Sequence, residues 1–134
     1  MAVTPEQAEQ MGRRYVAAWC SHSAESVASF YSENGRIVIN DGEPCEGRKA
    51  VADMARGFFD AFPDLIVRMD SIRTSGTAAV LLWTLEGTNS GPGGTGNRVV
   101  LGGWEYWHLA KDGLVVESLG HFDAADYERQ IQAR

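Results

Sequence analysis

The stretch RVVLGGWEYWHLAKDGLVVESLGHFD, Arg98 to Asp123, decides how this chain folds. Two runs of strand length, rich in aromatic and β-branched residues, flank Lys111-Asp112-Gly113, whose chemistry is that of a tight turn. They read as an antiparallel hairpin. Side chains alternate faces along a strand, so one assumption sorts the first run. If Glu105 faces the interior, Gly103 and Trp107 face it too, and Trp104, Tyr106 and His108 point out of the other side. In the second run His121 and Asp123 lie two apart, so these two proton-exchanging groups share a face just before a helix.

Outward from the hairpin, LIVRMDSIRTSG and TAAVLLWTLEGT also read as strands, and AADYERQI as a short terminal helix. The N-terminal part is helical. Thr4, Pro5 and Gln7 supply an N-cap, a proline at the first helical position and a capping-box partner, and Ala8, Met11, Tyr15, Ala18 and Trp19 recur at helical spacing. A second helix is expected through AESVASFYSE, closed by Asn34-Gly35, followed by a short strand RIVIN. Gly47 precedes a third helix, whose apolar face runs from Val51 to Phe62 and which Pro63 ends. Three helices followed by hairpin-connected strands predict one α+β domain over residues 1–134, a curved antiparallel sheet closing cone-like over its helices.

Size and charge exclude several functions. A chain of 134 residues that is 44% hydrophobic can bury the core of one domain and has no room for a second. Its net charge of −6 and lack of Lys/Arg runs argue against nucleic acid or anionic lipid as partner. Cys20 and Cys45 form no CxxC pair and read as reduced thiols. With no apolar signal core and no run of membrane-spanning length, the expected location is the cytoplasm. The glycine-rich TNSGPGGTGN lacks the Lys-Ser/Thr ending and following helix of a phosphate loop. His22, His108 and His121 have no metal-ligand spacing, so no metal site is expected.

The order of elements, together with GRRYVAAW, EPCEGRKAV, LLWTLEGTNSGPGGTG and KDGLVVESLGHFDAADYERQI, resembles the SnoaL-like polyketide cyclases. These belong to the superfamily of nuclear transport factor 2, ketosteroid isomerase and limonene epoxide hydrolase. The resemblance implies a deep apolar pocket and no metal or organic cofactor. It implies an enzyme that enolises an apolar carbonyl compound, by intramolecular aldol closure or isomerisation. Asp123 would be its general acid/base and His121 a modulator or carbonyl donor, because a carboxyl desolvated in an apolar cavity can trade protons near neutral pH. Against this stands the N-cap position that Asp123 also occupies, with Asp126 three residues on.

By the same resemblance Tyr15 matches the tyrosine of the ketosteroid isomerases and Glu105 falls where their oxyanion-side aspartate lies. Asn40 takes the place of their base, and an amide cannot abstract a proton. The limonene-type epoxide hydrolases need an arginine on a central strand, and no arginine occurs from Ser75 to Asn97. Trp19, Phe58, Phe62, Trp83, Trp107 and Leu119 are expected pocket walls. The outward row Trp104, Tyr106 and His108 is the expected face of a homodimer. The competing expectation is a domain on this scaffold that binds a small ligand, or dimerises, without catalysis.

Overall fold

The first helix begins where its capping chemistry places it. In the computed structural model, which describes residues 2–133, Thr4 accepts a hydrogen bond from the Gln7 N–H while the Gln7 side chain accepts from the Thr4 N–H, and helix α1 runs Pro5–Cys20. Helix α3, Arg48–Ala61, starts after Gly47 at φ 87° and ends two residues before Pro63. Strands β3 (Ile66–Ser75), β4 (Ala78–Thr88), β5 (Arg98–Leu109) and β6 (Val115–Phe122) and helix α4 (Ala124–Gln132) occupy the predicted stretches.

The second helix is shorter than its sequence pattern suggests. Helix α2 covers only Ala24–Ala28, and the chain from Tyr31 joins strand β1, Tyr31–Ile39, with a two-residue strand β2 at Cys45–Glu46. Tyr31 is fully buried and pairs with Val115, so burial of its ring and the ladder to β6 outweigh local helix propensity. Gly35 keeps an ordinary negative φ and caps nothing.

The six strands form one sheet in the order β2-β1-β6-β5-β4-β3. All neighbours are antiparallel except β1 and β6, which run parallel, so the sheet is mixed where a purely antiparallel one was expected. Its parallel pair arises because the chain returns to β1 only after the whole β3–β6 meander has been laid down. The sheet remains open, with β2 and β3 as its edges. Register irregularities at Met69/Ser71 and His108/Leu109 mark bulges, which bend a sheet around what packs on it. Helices α1 and α3 bury Tyr15, Trp19, Val51, Ala55 and Phe59 in the core shared with the inner sheet face.

The glycine-rich connection after β4 is architectural. The Asn89 side chain accepts from Thr95 N–H, while Thr95 Oγ1 and Asn97 Nδ2 donate to the Ile131 carbonyl at the end of α4. Gly91 N–H donates to the Ala61 carbonyl at the end of α3, and a Cβ at Gly91 would overlap the Asp60 carbonyl. The loop thus ties two helix ends together and needs glycine for that close approach.

Candidate functional site

Strand register decides which side chains meet in the interior. Along β5, Gly103 faces Trp83 on one neighbour and Phe122 on the other, and Glu105 faces Leu81 and Gly120. Gly103, Glu105 and Trp107 therefore point inward as expected, and Trp107 is completely buried. Trp104 and Tyr106 point outward and stay 46% and 38% exposed. They stack on His121 and His108, at centroid separations of 5.2 and 4.9 Å, and Leu82 across the strand adds to the same exposed face.

The inward side chains and helices α1, α3 and α4 enclose a largely apolar pocket with about 660 Å³ of empty space, counted out through its open mouth. Tyr15, Trp19, Phe58, Trp83 and Glu105 line it, with Met54, Leu101 and Tyr127 beside them. Trp107 sits behind this wall, held in the core. Phe62 is also fully buried in the core, against Tyr127, and Leu119 pairs with Tyr106 on the outer face. Neither lines the pocket.

Three further expectations change with the geometry. Glu105 lies opposite Gly120, so the following residue, His121, falls on the outer side; it borders the pocket, but its ring lies against Trp104. Asp123 follows the last residue of β6, is exposed, and accepts a hydrogen bond from Asp126 N–H at 3.0 Å as N-cap of α4. The pocket residues do not include it. His121 is thus on the outer face, Asp123 lies past the strand's end, and the cap alternative describes it. Asn40, at φ 51°, accepts from Phe122 N–H through Oδ1 and joins the end of β1 to β6, so it too lies outside the pocket lining.

Among the described residues, Glu105 is the one acidic side chain lining the pocket. Its Oε1 accepts from Ser118 Oγ at 2.8 Å, Trp107 Nε1 at 2.9 Å and Tyr15 Oη at 3.0 Å, with Tyr31 Oη at 3.4 Å. Tyr15 and Tyr31 are also 2.9 Å apart, oxygen to oxygen. Each phenol has one proton, so with Tyr15 donating to Glu105, the Tyr31 proton is shared between the Tyr15 oxygen and Oε1. Oε2 receives no hydrogen bond from any described residue.

Burial pushes the Glu105 carboxyl above its ordinary value, and the four donors oppose that shift without cancelling it. Burial and the nearby Glu105 charge together drive both Tyr15 and Tyr31 well above the usual phenol range, so they remain neutral donors. Tyr31 and Ser118 were not anticipated as members of this cluster. Ser118 was detectable, since it precedes inward Gly120 by two residues; Tyr31 was hidden by its assignment to a helix. Among the described residues, no three His, Cys, Asp or Glu side chains converge to hold a metal ion. No helix among them is long and apolar enough to cross a membrane.

Helices packed on an open, curved six-stranded mixed sheet make the fold of the nuclear transport factor 2-like and ketosteroid isomerase-like proteins. The family model of the SnoaL-like domain matches residues 12–118, and the chain belongs to that family. No curated protein sequence matches it. Among solved structures it is similar to a protein from a Jannaschia species provisionally named a SnoaL-like polyketide cyclase, at 21% identity and TM-score 0.79, covering 100% of this chain and 99% of that one. AclR from Streptomyces galilaeus, provisionally named a hydroxylase, gives 22% identity and TM-score 0.81 over 96% of this chain and 82% of that one. A Catenulispora acidiphila protein with a ketosteroid isomerase-like fold, solved with trimethylamine, gives 11% identity and TM-score 0.78 over 88% of each chain. At these identities the likeness is one of fold, and the different names show that the fold does not select the reaction.

Proposed function

We propose that this chain is an enzyme that moves a proton on an apolar carbonyl compound without a cofactor, as a cyclase or isomerase would, with Glu105 as the proton-handling group. The carrying observation is the split between the two oxygens of this pocket-lining side chain: Oε1 is held by protein donors while Oε2 has no partner among the described residues. Fixing one oxygen orients the other, and burial makes the carboxylate a stronger base than a solvated one. In the reaction, Oε2 takes a proton from the carbon beside the carbonyl and the C–H pair becomes the enolate double bond. Carbonyl charge moves onto oxygen, and the proton returns to carbon or oxygen of the product. Tyr15 positions Glu105 and does not itself reach the substrate, because its proton is used on Oε1.

The test is incorporation of deuterium beside the carbonyl when mono- to tricyclic ketones are incubated with the protein in D2O. Exchange above background is expected, falling about 10²-fold or more in Glu105→Gln. Exchange that survives this substitution would remove Glu105 from the role. A second reading, a domain that binds such molecules without transforming them, is favoured by the capping of α4 by Asp123. It predicts ketone binding with no exchange. The outer aromatic face belongs to the same proposal as a homodimer contact: two copies of rows in which Trp104 and Tyr106 stack on histidines can interleave about a two-fold axis. A Trp104→Glu variant that sediments as the wild type does would remove that contact.

A further inference from the structure

Trp83 carries the one buried side-chain nitrogen or oxygen among the described residues that has no hydrogen-bond partner, its indole Nε1–H. The side chain lines the same pocket as Glu105. Its position is fixed on both sides. Trp83 pairs with Gly103 across the β4–β5 ladder, and a Cβ at Gly103 would overlap the indole at Cζ2 and Cη2. The Phe122 ring meets it edge-on at 6.4 Å. The six-membered ring of the indole thus lies over Gly103, which offers it no side chain. An N–H buried without an acceptor is disfavoured, and burial of such groups is rare enough to require a reason. Replacement of Trp83 by a purely apolar ring would cost the fold no hydrogen bond.

Glu105 is the diagonal neighbour of Trp83 on the inner face, since Trp83 lies opposite Gly103 and Glu105 follows two residues on. Diagonal pairs of this kind have Cβ atoms about 7–8 Å apart. One small ring system spans that distance.

We infer that the Trp83 indole N–H is a ligand contact, which donates a hydrogen bond to the oxygen of a small cyclic ketone in the pocket and holds its neighbouring C–H toward Glu105. In the proton transfer above, the pair released from the C–H bond forms the new C=C bond and the carbonyl π pair moves onto that oxygen. The charge then develops where Trp83 donates, and a donor fixed before reaction stabilises it without reorganisation. The inference rests on the pocket assigned under Proposed function and deepens it, naming a recognition element for the carbonyl oxygen and so the substrate class.

The experiment compares 1-tetralone with tetralin, which has the same ring skeleton without the oxygen. Wild type is expected to bind 1-tetralone about fivefold more tightly, the worth of one neutral hydrogen bond. In ¹⁵N-labelled protein, only the ketone moves the Trp83 indole proton downfield, while the signals of Trp107, already bonded to Glu105, and of Trp104 on the outer face serve as references. Trp83→Phe is expected to bind the two compounds equally. Equal binding by wild type, no binding of either compound, an unmoved Trp83 signal, or a ketone preference retained in Trp83→Phe would each overturn the inference. The NMR reading needs no variant, so it stands even where Trp83→Phe folds poorly. Loss of deuterium exchange alongside an intact ketone preference would instead remove the catalytic reading and leave Trp83 as a recognition residue.

Discussion

Glu105 and Asp123 are carboxylic acids set by adjacent strands of one sheet, and their surroundings are opposite. Glu105 is buried on the inner face with four protein donors around one oxygen. Asp123, just past the end of β6, is exposed and receives one backbone N–H from the helix it caps. Strand register made the difference: position 105 lies among the inward residues of β5, while β6 ends at Phe122 before Asp123 can enter the core. A carboxyl at a strand end before a helix is a good cap because the helix offers it unpaired N–H groups. A carboxyl in mid-strand, buried among aromatics, has no such outlet and must bring its own donors.

The sharpest way to test that comparison is to remove the acceptor at position 105 while keeping the volume. Glu105→Leu leaves the Trp107 indole N–H and the Ser118 hydroxyl without their partner, and is expected to cost about 2–4 kcal/mol of folding stability in urea denaturation. Glu105→Gln keeps a carbonyl oxygen for the same donors and is expected to stay within about 1 kcal/mol of wild type. Equal losses in the two variants would mean that the donors do not depend on that oxygen. The pH dependence sharpens the point. Because the folded carboxyl lies above its ordinary value of 4.5, the folded state holds this proton more tightly than the unfolded chain. Wild-type stability relative to Glu105→Gln should therefore fall as pH rises from that ordinary value to the raised folded one, and be level on either side. Tyr15 and Tyr31, both pushed upward, stay neutral through that window and add no slope of their own. A level difference across it would place the carboxyl in an ordinary, solvated environment.

Much of this arrangement is legible in the sequence, and the lapses have physical causes. Period-two alternation along GGWEYWH sorts the faces of β5 correctly, because alternation is a property of the strand itself. Thr4-Pro5-Gln7 fixes the start of α1 for the same kind of local reason. Alternation does not say which face is the inner one or where a strand ends, and so His121 turns to the outer face against Trp104 and Asp123 falls beyond the strand as a helix cap. The extended state of Tyr31 depends on pairing with Val115, 84 positions away in the numbering, and no local pattern in AESVASFYSE carries that information. The fold class followed from the order of elements; the parallel pairing of β1 with β6 is a tertiary choice that composition cannot express.

The smallest expected effect bears on the other half of the comparison. As a helix cap, Asp123 needs only an acceptor oxygen at the right distance from Asp126 N–H, and asparagine supplies one nearly as well. Asp123→Asn should therefore leave stability within a few tenths of a kcal/mol, whereas Asp123→Ala should cost about 1 kcal/mol by removing the acceptor. Neither should change deuterium exchange by more than about twofold, since the side chain is separate from the pocket lining. The two substitutions divide the roles cleanly: a cap is indifferent to the charge and sensitive to the oxygen, while an acid/base group is sensitive to the ionisable proton. If Asp123→Asn abolishes exchange with the fold intact, the chemistry lies at the strand end, and the buried cluster around Glu105 is a structural polar core with no part in it.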